Sequence, residues 1–120
     1  MTDSAIVDIS SDARDGVDVV HVQGEVDLTN AAAIQEAVVA TRTSAVVLDL
    51  TRVAYLDSSG IRAIDRGHRQ LVSEQRSLFI VSPPDTAADW TFRVAGFRRE
   101  MLLASLDAAL ASAVQRAKGS

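Results

Sequence analysis

The four residues Asp57-Ser58-Ser59-Gly60 are the part of the sequence whose types and spacing best suit chemistry. They stand between an extended segment and a stretch with helical periodicity, which places the Ser58 hydroxyl at a helix start. Backbone N–H groups and the helix dipole favour negative charge there. Phosphorylation of Ser58 would add about −1.5 to −2 charges. The spacing alone also allows a simpler interpretation, in which Asp57 or Ser58 caps the helix and Gly60 eases a tight turn.

Composition argues against other kinds of site. The 120 residues include no cysteine, which excludes disulfides and thiolate metal sites, and the only imidazoles are His21 and His68. We therefore expect no metal and no cofactor. The net charge of −4 and the lack of a basic stretch argue against direct binding of nucleic acid. The longest apolar runs are far shorter than the roughly 20 residues that cross a bilayer. Because the N-terminus also lacks a signal-peptide pattern, we expect no membrane span and a cytoplasmic location.

Periodicity predicts that strands alternate with helices along a single domain spanning 1–120, with short flexible termini. Two short strands at 5–9 and 17–23, around a polar turn at 10–16, predict an antiparallel hairpin. The nearly continuous apolar run at 45–50 is typical of a central strand buried on both faces. Further strands are predicted at 78–81 and 101–103, and helices at 31–41, after Gly60, at 85–94 and after Ser105. This order predicts an α/β fold whose mixed, mostly parallel sheet has about five strands, an antiparallel edge hairpin and about four helices.

Aromatic residues make up only 4% of the chain, so aliphatic side chains must fill the core. Trp90 is predicted to be its single large anchor. The buried stripe of the second helix is predicted to comprise Ile61, Ile64, His68, Leu71 and Val72. Thr29 or Asn30 is predicted to cap the first helix, and Ser105 the last.

Several short motifs stand in order along the chain. They are Gly24-Glu25-Val26-Asp27, an apolar strand ending in Asp-Leu, Asp57-Ser58-Ser59-Gly60, Gly96-Phe97 and Asp107-Ala108-Ala109-Leu110. In this order and spacing they resemble the STAS-domain family of anti-sigma factor antagonists, and the resemblance covers nearly the whole chain. It implies a STAS-like fold for the α/β domain predicted above.

The resemblance also implies that the protein is a substrate and binding module rather than an enzyme. In that family the first serine of the Asp-Ser motif, here Ser58, is phosphorylated by an anti-sigma factor that is also a serine kinase. The unphosphorylated protein binds the kinase and frees the sigma factor, phosphorylation ends the complex, and a phosphatase restores it. We expect five residues around the phosphosite and at the partner interface. Asp57, Ser59 and Gly60 belong to the motif itself, Asp27 lies close to it if the fold is as predicted, and Arg62 stands one helical turn beyond Ser58.

Several alternatives stay open at this stage. Asp57 either orients Ser58 or only caps the helix, Ser59 is either a second site hydroxyl or an ordinary helical residue, and Arg62 either pairs with the phosphate or is solvated. The protein could instead be a constitutive STAS interaction module in a signalling scaffold or lipid-transport complex. A serine hydrolase is disfavoured because Ser58 does not lie in a Gly-x-Ser-x-Gly elbow. The sequence does not identify the kinase, the sigma factor or the signal, and it leaves weak dimerisation open.

Overall fold

The computed structural model describes residues 6–97 and 99–119, which form one five-stranded sheet with helices on both faces. Its elements are β1 (Val7–Arg14), β2 (Val17–Val26), α1 (Ala31–Val39), β3 (Ala45–Leu56), α2 (Ser58–Ser73), β4 (Ser77–Val81), α3 (Ala87–Ala95), a 3-10 turn (Arg99–Met101), β5 (Leu102–Leu103) and α4 (Leu106–Gly119). The predicted flexible termini and the first residue of the predicted strand at 5–9 lie outside the described residues.

The strands lie in the order β1-β2-β3-β4-β5. β1 pairs antiparallel with β2, and every other neighbouring pair is parallel. The predicted fold class is therefore confirmed. The hairpin turn is shorter than the predicted 10–16, because residues 10–14 continue β1 and only Asp15-Gly16, with φ of 55° and 79°, turns the chain. An exposed edge strand needs no apolar alternation, so its polar residues gave no strand signal.

Alternating side chains of the central strands build two separate apolar layers. Val20 and Leu48 belong to the layer covered by α1, α2 and α3, whereas Val19 and Val47 belong to the layer covered by α4. Because β3 is buried on both faces over 45–50, every residue there except Asp49 is apolar, which confirms the predicted central strand. The predicted cap of α4 is also present, since the Ser105 hydroxyl accepts from the backbone N–H of Ala108 at 3.1 Å.

The predicted core anchor was wrong. Trp90 is 67% exposed, and the large aromatic side chain that α3 buries is Phe92. The ring of Phe92 meets that of Phe97 edge-on, with centroids 5.2 Å apart. The hydroxyl of Thr86 caps α3 by accepting from the N–H of Asp89. One helix face then carries the buried Phe92, and the opposite face carries Trp90.

The buried stripe predicted for α2 was also wrong at its C-terminal end, where Val72 is 53% exposed. Ile61, Ile64 and Leu71 are buried, and His68 is half-buried at the boundary of the stripe. A helix turns by about 100° per residue. With Leu71 pointing directly into the core, Val72 is rotated out of the packed layer.

A polar network joins the first three strands on the face that carries α4. The Nδ1 atom of His21 lies 2.7 Å from the Asp49 carboxylate, and its Nε2 atom lies 3.2 Å from Asp12. Asp49 also accepts from the backbone N–H and the hydroxyl of Thr51. Burial alone would raise the pKa of Asp49, but these hydrogen bonds from Thr51 and His21 outweigh it and hold that pKa below its usual value. His21 therefore serves a structural role in the sheet.

Candidate functional site

The candidate site lies where β3 projects beyond its neighbour β4. β4 pairs only with the first five residues of β3, Ala45 to Asp49, whereas β2 follows β3 as far as Leu56. On the open side, the hydroxyl of Thr91 on α3 lies 3.0 Å from the carbonyl of Leu56 and 2.9 Å from that of Ala87, so its single proton is shared between the strand end and its own helix. The strand end is thus held from both sides, and the chain passes directly from it into Asp57 and α2.

Asp57 is the N-cap of α2. Its backbone is extended, with φ −99° and ψ −174°, and its Oδ1 atom accepts from the N–H groups of Ser59 at 2.9 Å and Gly60 at 3.3 Å. Ser58, the first helical residue, is exposed, and its hydroxyl has no hydrogen-bond partner among the described residues. Of the two capping side chains that the sequence allowed, Asp57 makes the cap, and the Ser58 hydroxyl stays accessible.

Gly60 lies buried in the first turn of α2. A Cβ atom at this position would lie 2.3 Å from Cδ1 of Leu56 and 3.0 Å from Cγ1 of Val26. Its φ is not positive, so the backbone here does not need glycine. The close approach of α2 to the ends of β2 and β3 requires it, rather than the tight turn suggested by spacing.

Replacing Gly60 with alanine is expected to lower the free energy of unfolding by about 1–3 kcal/mol, because buried Leu56 and Val26 must shift to admit the methyl group. Urea unfolding followed by circular dichroism would measure the change. Gly119→Ala is the matched control, since no atom lies within 4 Å of the position that its added Cβ would occupy. Equal stability of the Gly60→Ala variant and the wild type would contradict this account of the helix docking.

Asp27 reaches the site through the backbone. The N–H of Asp57 donates to the carbonyl of Val26 at 3.3 Å, so the turn that carries Asp27 is bonded to the residue before Ser58. The Asp27 carboxylate accepts from the N–H and the hydroxyl of Thr29. The two acidic residues expected near Ser58 therefore belong to adjacent, hydrogen-bonded segments.

The predicted side-chain cap of α1 was wrong. Asn30 precedes α1 but makes no capping hydrogen bond. Its amide is already engaged by the preceding turn, donating to the carbonyl of Glu25 at 2.9 Å and accepting from the N–H of Asp27 at 3.1 Å. Thr29 is likewise engaged with Asp27. Both side chains hold the turn that carries Asp27 in place rather than the helix end.

Two surface grooves flank α2, and Arg62 contributes to both. The groove toward α1 has a volume of about 280 Å³ and includes Leu28, Ser59 and Arg66 in its lining. The groove toward α3 and the 3-10 turn has a volume of about 610 Å³ and includes Phe97. Within residues 6–97 and 99–119, neither Arg62 nor Arg66 forms an ion pair. Two cations that no described acid neutralises thus lie on the helix that begins at Ser58.

A family model of the STAS domain matches residues 8–116 of this chain. The chain belongs to the STAS domain family. The resemblance inferred from the order of the motifs is thereby confirmed. A comparison with functionally curated proteins found no match. In the part of this STAS domain that the structure describes, none of the helices combines the length and apolar character that crossing a bilayer requires. The same residues hold no cluster of three or more side chains suited to a metal ion.

Solved structures similar to this STAS domain include an anti-sigma factor antagonist from Mycobacterium paratuberculosis. The two are 27% identical with a TM-score of 0.79, over 90% of this chain and 94% of that one. The unphosphorylated anti-sigma factor antagonist SpoIIAA is 18% identical with a TM-score of 0.68, over 94% and 98%. A sulfate transporter family protein from Wolinella succinogenes is 17% identical with a TM-score of 0.71, over 88% and 89%. The latter two establish a shared fold.

Sequence reasoning missed two residues beside the site of this STAS domain. Leu28 is 79% exposed and lines the groove between α1 and α2. Thr91 supports the end of β3 from 35 positions further along the chain. A lone leucine after a turn has no periodic partner, and no local pattern signals a contact over that separation. Only the tertiary structure could reveal either residue.

Proposed function

We propose that this STAS domain is an anti-sigma factor antagonist that works by partner switching in the cytoplasm. When unphosphorylated, it binds an anti-sigma factor serine kinase and so frees the sigma factor for transcription. Phosphorylation of Ser58 by that kinase ends the complex, and a phosphatase restores the binding form. The protein has no catalytic activity of its own in this cycle.

The observation that carries the proposal is the accessible hydroxyl of Ser58 on the first residue of α2, beside a helix cap supplied by Asp57. A kinase can approach this hydroxyl without breaking the cap, so phosphorylation need not unwind the helix. The similarity to the antagonist from Mycobacterium paratuberculosis supports the same assignment.

The charge distribution supports a switch that acts locally. A phosphate on Ser58 would add about −1.5 to −2 charges beside the segments that carry Asp27 and Asp57. The N-terminal dipole of α2 would offset about 0.3–2 kcal/mol of that cost, so the fold can tolerate the modification. A partner surface packed over Ser58 would have to desolvate the dianion and meet its repulsion.

The proposal is tested by incubating the purified protein with candidate anti-sigma factor kinases and ATP, followed by tandem mass spectrometry. We expect one phosphate, located on Ser58, and none on the Ser58→Ala variant. Ser59→Ala is the matched control and should still accept phosphate, because only the backbone of Ser59 is used in the cap. If every candidate kinase leaves Ser58 unmodified, the proposal fails.

The competing function is a constitutive STAS interaction module, for example in a signalling scaffold or a lipid-transport complex. The similar fold of the sulfate transporter family protein shows that this architecture also occurs in another setting. In that case Ser58 would contribute only packing. A stable complex with a partner that is insensitive to Ser58→Asp would favour this function over the switch.

A further inference from the structure

Helices α2 and α3 each contain an ion pair between an aspartate and the arginine one turn after it. Arg69 pairs with Asp65 on α2 at 2.9 Å, and Arg93 pairs with Asp89 on α3 at 2.9 Å. In both pairs the acid lies four residues before the arginine. Four residues before Arg62, which has no ion pair among the described residues, stands Ser58, which gains negative charge only when it is phosphorylated.

We propose that Arg62 is the internal counter-ion of a phosphate on Ser58. When Ser58 is phosphorylated, the Arg62 guanidinium pairs with the phosphate across the first turn of α2, as Arg69 pairs with Asp65. This inference rests on the proposed function for the identity of Ser58 as the phosphorylated residue. It adds what that function leaves open, namely where the new charge is held.

Helix geometry favours this pair. Side chains four residues apart lie on one face with Cβ atoms about 5–6 Å apart, and helical side chains lean toward the N-terminus. An arginine at position 62 is therefore well placed to reach Ser58. An acid N-terminal to a base is also the better orientation along a helix. The planar guanidinium can donate two parallel N–H groups to phosphate oxygens, which a neutral serine hydroxyl cannot accept in the same way.

The neighbouring charges do not compete strongly for Arg62. The carboxylate of Asp57 accepts from two backbone N–H groups, that of Asp27 accepts from Thr29, and that of Asp65 pairs with Arg69. Arg66, which also lacks an ion pair among the described residues, stands two turns from Ser58, about 12 Å along the helix axis. Within the described part of α2, Arg62 is thus the cation that is both without an ion pair and within reach.

The pairing would change the partner surface in two places at once. Arg62 contributes to both grooves that flank α2. When it pairs with the phosphate, the positive charge is withdrawn from these grooves while negative charge is added at Ser58. A partner that offers acidic groups to this surface loses an attraction and meets a repulsion in one step.

The experiment places phosphoserine at position 58 during translation and titrates it by phosphorus NMR. Pairing with Arg62 favours the dianion, so we expect the second pKa of the phosphate to rise by about 0.2–0.7 units in the Arg62→Gln variant. The matched control Arg66→Gln removes the same charge two turns away and should leave the titration close to that of the parent. Arg62→Lys keeps the positive charge, so the phosphate pKa should rise less in this variant than in Arg62→Gln. High salt should shrink the difference, since the pair is exposed.

Equal titration curves for the parent and Arg62→Gln, or equal shifts for Arg62→Gln and Arg66→Gln, would overturn the inference. Because the phosphoserine is incorporated during translation, the titration does not depend on any kinase. Failure of kinases to modify Ser58 would therefore contradict the proposed function without changing the titration. An absent Arg62 effect would contradict only the counter-ion.

Discussion

Replacing Phe92 with alanine is expected to lower the free energy of unfolding by about 3–5 kcal/mol, because the change removes a fully buried aromatic side chain and leaves a cavity. The ring of Phe97 would also lose its edge-on partner. Urea unfolding monitored by circular dichroism would give the change from the shift in midpoint at constant slope.

Trp90→Ala is the matched control, since it truncates a larger aromatic side chain on the same helix. Trp90 is 67% exposed, so we expect a loss below about 1 kcal/mol. Trp90 is also the only tryptophan, and its fluorescence in the folded protein should resemble that of a solvated indole. If Trp90→Ala proved more destabilising than Phe92→Ala, α3 would have to pack on its opposite face.

Ser58→Asp is expected to weaken binding to the cognate anti-sigma factor kinase about a hundredfold, a penalty of roughly 3 kcal/mol. The aspartate places a carboxylate in the proposed contact surface, where a partner would strip its water. Loss of that water would also strengthen its repulsion from Asp27 and Asp57. Isothermal titration calorimetry with the purified kinase would measure the dissociation constant.

Ser58→Asn separates charge from size, because asparagine has the shape of aspartate without its charge. We expect Asn to weaken binding far less than Asp, and Ser58→Ala to retain binding within a few-fold. Equal losses for Asn and Asp would show that bulk rather than charge ends the complex. Unchanged binding of the Asp variant would instead identify a constitutive interaction module.

The sequence predicted the fold class because most elements carry a local signal. The run at 45–50 is nearly all apolar because both faces of β3 are covered. The α4 residues packed on the sheet, at 106, 109, 110, 113, 114 and 117, repeat with a helical period. The wrong predictions concern side chains whose burial depends on how a helix packs against the sheet. The inward face of α3 depends on how a nine-residue helix sits on the sheet, so composition favoured Trp90 where the structure buries Phe92.

The candidate site also has features that local sequence predicts and features that it does not. Residues 57–60 are contiguous, so a motif could identify them, and the bond between Asp57 and Val26 brings in the turn of Asp27. The reason for Gly60 could not be predicted, because it depends on the distance between α2 and the side chains of two strands. The role of the Asn30 side chain could not be predicted either. An asparagine before a helix can cap the helix or bond the preceding turn, and the same sequence is compatible with both.

Asp57 caps α2, whereas Ser58 presents its hydroxyl to the surface. Substitutions at Ser58 are therefore expected to change the free energy of unfolding little. Those that remove the Asp57 cap or enlarge Gly60 are expected to lower it. Stability and activity often trade off at functional positions. Here stability depends on Asp57 and partner binding on Ser58. Position 58 can therefore be changed, by selection or by engineering, to alter partner binding without loss of stability.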